Sequence, residues 1–316
     1  MLKELSIIET IASILPNPEV LTDDAFVEEE TGRIYTTDLL VEGQHFHQDY
    51  VTPADLGWKA GAVNISDIAA MGGEPRFLLV SLGLPEQLNT AFVQEFYQSL
   101  QALANTYHCQ IVGGDTVGSP QLVVNVTAIG QLPTSHTAGR RSQAKPGDWI
   151  ITTGYSGLSA AGLVALQKQL PDLETCKQAH LRPRPRIVEG LLLSKSFSRY
   201  SLMDTSDGLA DALIKMAQQS QARLEVVASQ IPLHPELKTF SCKAGQVPLQ
   251  LALYGGEDFE LVATVPTVDD ALLAHFTVIG RVTAGTPEAV LVDEAGNTLE
   301  TLSLEKTFHH FQEALA

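Results

Sequence analysis

Residues 52–73 read TPADLGWKAGAVNISDIAAMGG, and this stretch sets the architecture of the first half of the chain. Thr52 is a side-chain N-cap, Pro53 suits the first helical turn, and Asp55 stands three residues after the cap. A helix is therefore predicted from Pro53 to about Met71, stopped by Gly72-Gly73. Leu56, Ala60, Val63, Asp67 and Ala70 share one of its faces, which is otherwise apolar. A carboxylate buried there without a partner costs several kcal/mol, so Asp67 needs a donor or a metal ion. The ligand reading is preferred.

Working outward, Ile34–Thr37 reads as a short strand running into Asp38. Leu88–Tyr107 reads as a second helix, with Leu88, Phe92, Phe96, Leu100 and Leu103 on one stripe. Gln110–Val112 is a strand ending at Gly113-Gly114-Asp115, and Leu122–Leu132 is a long one. The polar, basic and turn-rich run from Pro133 to Gly147 marks a domain boundary, giving units 1–135 and 136–316. The second unit opens with strand Asp148–Thr153, the turn GYSG and an apolar helix to about Leu170. LRPRPR at 181–186 is a proline-punctuated loop. Leu202-Met203 leads into DTSDG and a helix Leu209–Ser220. Phe259–Val265, Phe276–Val282 and Ala289–Val292 are strands, and residues 294–297 form a hairpin turn. The expected class is α/β (α+β), in two domains.

The 316 residues carry 20 basic and 37 acidic side chains, a net charge of −17, which argues against nucleic-acid and anionic-membrane partners. With 44% hydrophobic and 18% charged residues the chain is too apolar for disorder. Cys109, Cys176 and Cys242 are scattered and match no metal spacing, as in a reduced cytosol. The N-terminus lacks the architecture of a signal peptide, and no apolar run reaches membrane-spanning length. A cytoplasmic location is expected.

Asp23, Asp24, Asp38, Asp67, Asp115, Asp204 and Asp207 fall at strand ends or in small-residue turns. No run of Lys or Arg flanks them. Such carboxylates repel one another unless divalent cations fill the space, and hard oxygens select Mg²⁺, which takes further ligands from phosphates. Each motif also has a plainer reading. Taken singly, GGDT and SDGL are turns more often than ligands, and Thr36-Thr37-Asp38 serves equally as an edge strand with a turn. Ser206 and Asp207 suit a helix cap, which is compatible with anion binding. His45 fits a turn or core, Arg140 and Arg141 fit a solvated loop or a phosphate clamp, and Tyr107 and Phe308 fit packing. There is no GxSxG, no GxxxxGKS and no kinase-type GxGxxG after a strand.

Taken in order, DDA near 24, TTDLLVEGQHF, WKAGAVNISDIAAMGGEPRFLLVSLGLP, GGDT, RRSQAKPGDW, HLRPRPR, DTSDGL and YGGEDFEL resemble the thiamine-monophosphate kinase family. That family belongs to the superfamily of aminoimidazole ribonucleotide synthetase and selenophosphate synthetase. The resemblance spans nearly the whole chain. Two departures stand out: Leu21-Thr22 replace a glycine-rich lead before the first aspartate pair, and Phe308 replaces a Trp or Tyr.

The resemblance implies a two-domain aminoimidazole ribonucleotide synthetase-like fold whose N-terminal strands build a barrel in a homodimer, with ATP sites between subunits. It implies several Mg²⁺ ions on Asp24, Thr36, Thr37, Asp38, Asp67, Asp115, Asp204 and Asp207. It assigns ATP contacts to Tyr107, Gly114, Asp115, Arg141 and Ser206, and substrate contacts to His45, Glu257 and Phe308. The implied reaction is phosphorylation of thiamine monophosphate by ATP. The rivals are weaker. A selenophosphate synthetase needs a reactive residue in an N-terminal glycine-rich loop, and no cysteine precedes Cys109. The hydrogenase-maturation relative ends in a cysteine, whereas this chain ends in Glu-Ala-Leu-Ala. A silent nucleotide or metal sensor is expected to have lost ligands, and the matched carboxylates are all present.

Overall fold

The computed structural model describes residues 4–307. The first half contains α1 (Glu4–Ile14), β1 (Phe26–Glu28), β2 (Arg33–Val41), α2 (Pro53–Ala70), β3 (Glu74–Leu84), α3 (Thr90–Thr106), β4 (Gln110–Gly118) and β5 (Val123–Gln131). Its sheet runs β1-β2-β5-β3-β4, antiparallel except for the β3–β4 pair. Alternation along β5 explains why one face is a core: Val124, Val126 and Ala128 are buried while their neighbours are half-exposed. Helices α2 and α3 cover that face. They approach closely because position 57 is glycine; a Cβ there would lie 2.1 Å from the Phe96 carbonyl oxygen.

The other face of this sheet is uncovered. Phe26, Leu39, Phe77, Leu79 and Val117 lie on it and are exposed. Among the described residues the sheet is open, with β1 and β4 as its edges, and it closes into no barrel within one chain.

The second half contains β6 (Trp149–Thr152), α4 (Leu158–Gln167), α5 (Glu174–Leu181), α6 (Ile187–Ser196), β7 (Ser201–Asp204), α7 (Leu209–Ser220), β8 (Arg223–Val227), α8 (Pro235–Ala244), α9 (Pro248–Tyr254), β9 (Leu261–Val265), α10 (Asp270–Leu273), β10 (Thr277–Thr283), β11 (Ala289–Val292) and β12 (Thr298–Thr301). Its sheet runs β12-β11-β8-β10-β6-β9-β7, with only β8 and β11 parallel. The expected hairpin at 294–297 joins β11 to β12. Helix α2 starts at Pro53 with Thr52 accepting from the Asp55 amide, as the sequence predicts.

Three expectations need correction. The strand expected to stop at Thr37 continues to Val41, because its ladder with β5 holds as far as the Val41–Val123 pair; Asp38 is mid-strand. GGDT is no turn: β4 runs through it to Gly118. Position 114 must be glycine there, since φ is +151° and a Cβ would sit 1.7 Å from the Val80 carbonyl oxygen. The second helix begins at Thr90 rather than Leu88 because the Asn89 side chain caps it.

Candidate phosphoryl-transfer site

The site lies where α2 meets β7. Ser66 on α2 donates a 2.6 Å hydrogen bond to Asp204 Oδ2 at the end of β7, and Ser206 donates to Asp204 Oδ1 through both its hydroxyl and its amide, at 2.7 and 3.1 Å. The next residue on α2, Asp67, accepts from the Thr36 hydroxyl. Asn64, one turn earlier, accepts the Asp38 amide at 3.0 Å. Helix α2 therefore binds β2 on one side and β7 on the other.

Asp24, Asp67 and Asp204 each offer an oxygen, and these three lie within 4.8 Å of one another. The electrostatics record the crowding. Burial, and then the charges of Asp38, Asp204 and Asp24, push the Asp67 carboxyl well above the ordinary range, with Thr36 opposing. Burial, and then Asp24, push Asp204 up to about 7. Hard oxygens gathered in one place, with the Asp67 and Asp204 carboxyls reluctant to ionise, suit a divalent cation.

The cluster has cationic partners that the local sequence did not reveal. Arg141 Nη2 lies 2.8 Å from Asp24 Oδ1, and its amide donates to Asp23 Oδ1 at 2.9 Å. Burial lowers the Arg141 pKa, but Asp24 outweighs it and the guanidinium is held above its ordinary range. Arg140 pairs with Asp23 at 3.0 Å and also meets Glu29. Lys215 reaches Asp207 at 3.1 Å and Asp211 at 2.7 Å. Neither Arg140 nor Arg141 is a solvated loop charge.

Ser206 and Asp207 do not cap α7. The N-cap is Gly208, without a side-chain hydrogen bond, because Ser206 turns back onto Asp204 and Asp207 onto Lys215. Thr37 and Asp115 lie apart from the cluster. Pairing places Asp115 level with Ser81 on the uncovered sheet face, three strand spacings or about 14 Å from β2. The Thr37 hydroxyl is engaged on that same face by Asn125 Nδ2 at 3.0 Å.

A second group of residues lies further along α2. Lys59 Nζ is 3.1 Å from Glu257 Oε1 and 3.2 Å from Oε2. Burial pushes the Glu257 carboxyl up, but Lys59 outweighs it and the carboxyl is held below its ordinary range; His45, whose Nδ1 accepts the Val41 amide at 3.0 Å, is within electrostatic reach of it. Tyr107 is not at the cluster; its hydroxyl donates to the Pro185 carbonyl at 3.3 Å, and burial pushes it up to about 12. Phe308 lies outside the described residues.

The 181–186 loop proves to be a strap between the two halves. Trp58 Nε1 donates to the Pro183 carbonyl at 2.9 Å, Arg182 pairs with Asp55 at 2.6 Å, and Arg186 makes a two-pronged contact with Glu260 at 2.6 and 2.5 Å. Asp258, in the same YGGED segment, is buried and accepts the Ser159 amide at 2.8 Å as well as the Gly157 amide, anchoring the start of α4. Among the described residues no helix is long and apolar enough to cross a membrane.

Residues 22–132 match the family AIR synthase related protein, N-terminal domain, and residues 145–293 match AIR synthase related protein, C-terminal domain. The mixed α/β, two-domain architecture with its acidic seam is thus of the AIR synthase related class. The thiamine-monophosphate kinase of Bacillus subtilis (strain 168) is 40% identical over 296 residues, covering 88% of each chain. That of Aquifex aeolicus (strain VF5) is 36% identical over 299 residues, covering 92% of this chain and 94% of its own. A solved structure described as AaThiL complexed with AMPPCP and TMP gives a TM-score of 0.87 at 33% identity, covering 98% of this chain and 97% of that one. The chain belongs to the thiamine-monophosphate kinase family.

Proposed function

We propose that this protein transfers the terminal phosphoryl group of ATP to thiamine monophosphate, yielding ADP and thiamine diphosphate. The observation that carries the reading is the convergence of Asp24, Asp67 and Asp204 beside the Asp24–Arg141 pair. It is supported by family membership and by a relative described with an ATP analogue and TMP.

The donor set fits Mg²⁺, which Asp24, Asp67 and Asp204 would hold, with Thr36 and Asp38 beside them. Bound there, Mg²⁺ supplies neutralisation of phosphate charge and alignment of the in-line transfer. Arg141 is permanently charged and presents a planar fork to phosphate oxygens, with Ser206 and Gly114 as further phosphate contacts and Tyr107 near the nucleotide. Asp207, Asp115 and Thr37 complete the proposed ligand set. The acceptor is a phosphate monoester whose second ionisation lies near about 6, so its attacking oxygen is already anionic at neutral pH. No side chain has to remove a proton, in keeping with a cluster made, among the described residues, of the carboxylates of Asp24, Asp67 and Asp204. His45, Glu257 and Phe308 are the proposed contacts to the thiamine moiety.

The active form is proposed to be a cytoplasmic homodimer, with the domain boundary near residue 135. The exposed apolar row Phe26, Leu39, Phe77, Leu79 and Val117 supports a second copy packing there, sheet to sheet, as a barrel. That arrangement would carry Thr37 and Asp115 to a seam between copies. The deciding assay supplies ATP, Mg²⁺ and either thiamine or thiamine monophosphate, then separates products by chromatography. Thiamine diphosphate and ADP from the monophosphate alone are expected. Diphosphate made from free thiamine with AMP as coproduct would overturn the reading in favour of a pyrophosphokinase.

A further inference from the structure

We propose that Lys59 is a positioning residue for the acceptor substrate, acting through Glu257 to hold its carboxylate toward that substrate and cancel its charge. The inference rests on the reading that Glu257 meets that substrate.

Lys59 is the one lysine buried among the described residues, at 1% exposure, whereas the Glu257 side chain is 30% exposed. The ammonium is thus hidden behind a carboxylate that still faces outward. Contact with both oxygens, at 3.1 and 3.2 Å, seats the carboxylate squarely on the ammonium and neutralises both of its oxygens. The backbone around it is held as well. Glu257 has φ +64°, a conformation costly for a residue with a Cβ, and its amide donates to the Ser206 carbonyl at 2.6 Å. His180 Nδ1 lies 3.4 Å from Oε2, and its Nε2 is buried without a partner. Burial, and then the Lys59 charge, press His180 down to about 3, so it adds no positive charge.

Lys59 and Ser66 are seven residues apart on α2, two turns along one stripe and about 10 Å in rise. Ser66 holds Asp204 of the metal cluster and Lys59 holds Glu257. One helix face therefore sets the spacing between the phosphoryl end and the acceptor end of the site. Because Lys59 and Glu257 cancel, this end is suited to a hydrogen-bond donor on an uncharged heterocycle, such as an amino group on a pyrimidine. It is poorly suited to the cationic thiazolium ring.

The test compares Lys59→Met, Lys59→Arg, Glu257→Gln and the double variant Lys59→Met/Glu257→Gln in the full-length enzyme. Lys59→Met should raise KM for thiamine monophosphate about tenfold while KM for ATP stays within about twofold, and Lys59→Arg should recover most of the loss. The double variant leaves no buried charge unpaired, so its Tm should return toward wild type while KM for thiamine monophosphate stays high. A double variant with both Tm and KM restored would make the pair merely structural and overturn the inference. So would an unchanged KM in Lys59→Met, or a parallel rise in KM for ATP. Wild-type enzyme without any turnover would instead overturn the functional reading, and this inference with it.

Discussion

Asp204→Asn should abolish turnover yet stabilise the metal-free protein at alkaline pH. The exchange preserves shape and partners: Asn Oδ1 can accept the Ser206 amide and hydroxyl, and Asn Nδ2 can donate to Ser66 Oγ once that hydroxyl rotates. What disappears is a buried charge. Asp204 titrates at about 7 in the folded protein against an ordinary 3.8. Between these values the folded state binds the proton and the unfolded state does not, so stability falls as pH rises through the window. At about 1.36 kcal/mol per pH unit, the gap is on the order of 4 kcal/mol, fully lost above the folded value. The variant lacks this slope. In EDTA, urea unfolding at pH 5 and pH 8 should find wild type losing more stability than Asp204→Asn on going to the higher pH. Saturating Mg²⁺ should then invert the order, because it stabilises only the protein that binds it. A variant less stable than wild type at pH 8 without metal would refute the assignment. So would an equal Mg²⁺-dependent rise in Tm in both proteins.

Asp115→Asn should fold normally, since the side chain is exposed, and lose turnover by orders of magnitude. If Asp115 acts across a dimer seam, mixing it with Asp204→Asn under subunit exchange should restore about a quarter of wild-type activity; no recovery places it in the same chain's site. Phe308→Ala should raise KM for thiamine monophosphate about tenfold with little change in kcat, as expected for a lost stacking or cation–π contact; a kcat loss with KM unchanged assigns the ring elsewhere. His180→Gln should flatten acid destabilisation. The wild-type histidine titrates at about 3 when folded against 6.5 ordinarily, so its contribution is present above 6.5 and is lost as pH falls toward 3. Urea unfolding at pH 7 and pH 5 checks it, and equal slopes in both proteins sink the idea.

What the sequence made legible was local. The start of α2 follows from Thr52, Pro53 and Asp55, and the one acid on its apolar face stands out against a 3.6-residue period. That face is indeed buried at Leu56, Ala60, Val63 and Ala70. The unread features depend on partners distant in the chain. Two consecutive glycines before Asp115 signal a turn by composition, and only the β3 strand alongside makes them extended. Arg141 looks like a loop charge until Asp24, 117 residues earlier, is brought to it. Lys59 and Glu257 are 198 residues apart, and the local signal for Lys59 was a lysine inside an apolar helix, the same anomaly that exposed Asp67.

These long-range contacts have one consequence for how the site works. Asp204 of the cluster and Glu257 both belong to the second half of the chain, and both carboxylates are held by α2 of the first. The 181–186 strap ties the same helix to the second half through Trp58 and Asp55, while Arg186 ties the strap to Glu260. A shift of one half against the other would therefore disturb the acid cluster and the proposed acceptor subsite at Glu257 together. A ligand bound at either end is expected to stabilise the docked arrangement that the other end requires, coupling the two through a shared helix rather than through contact between ligands.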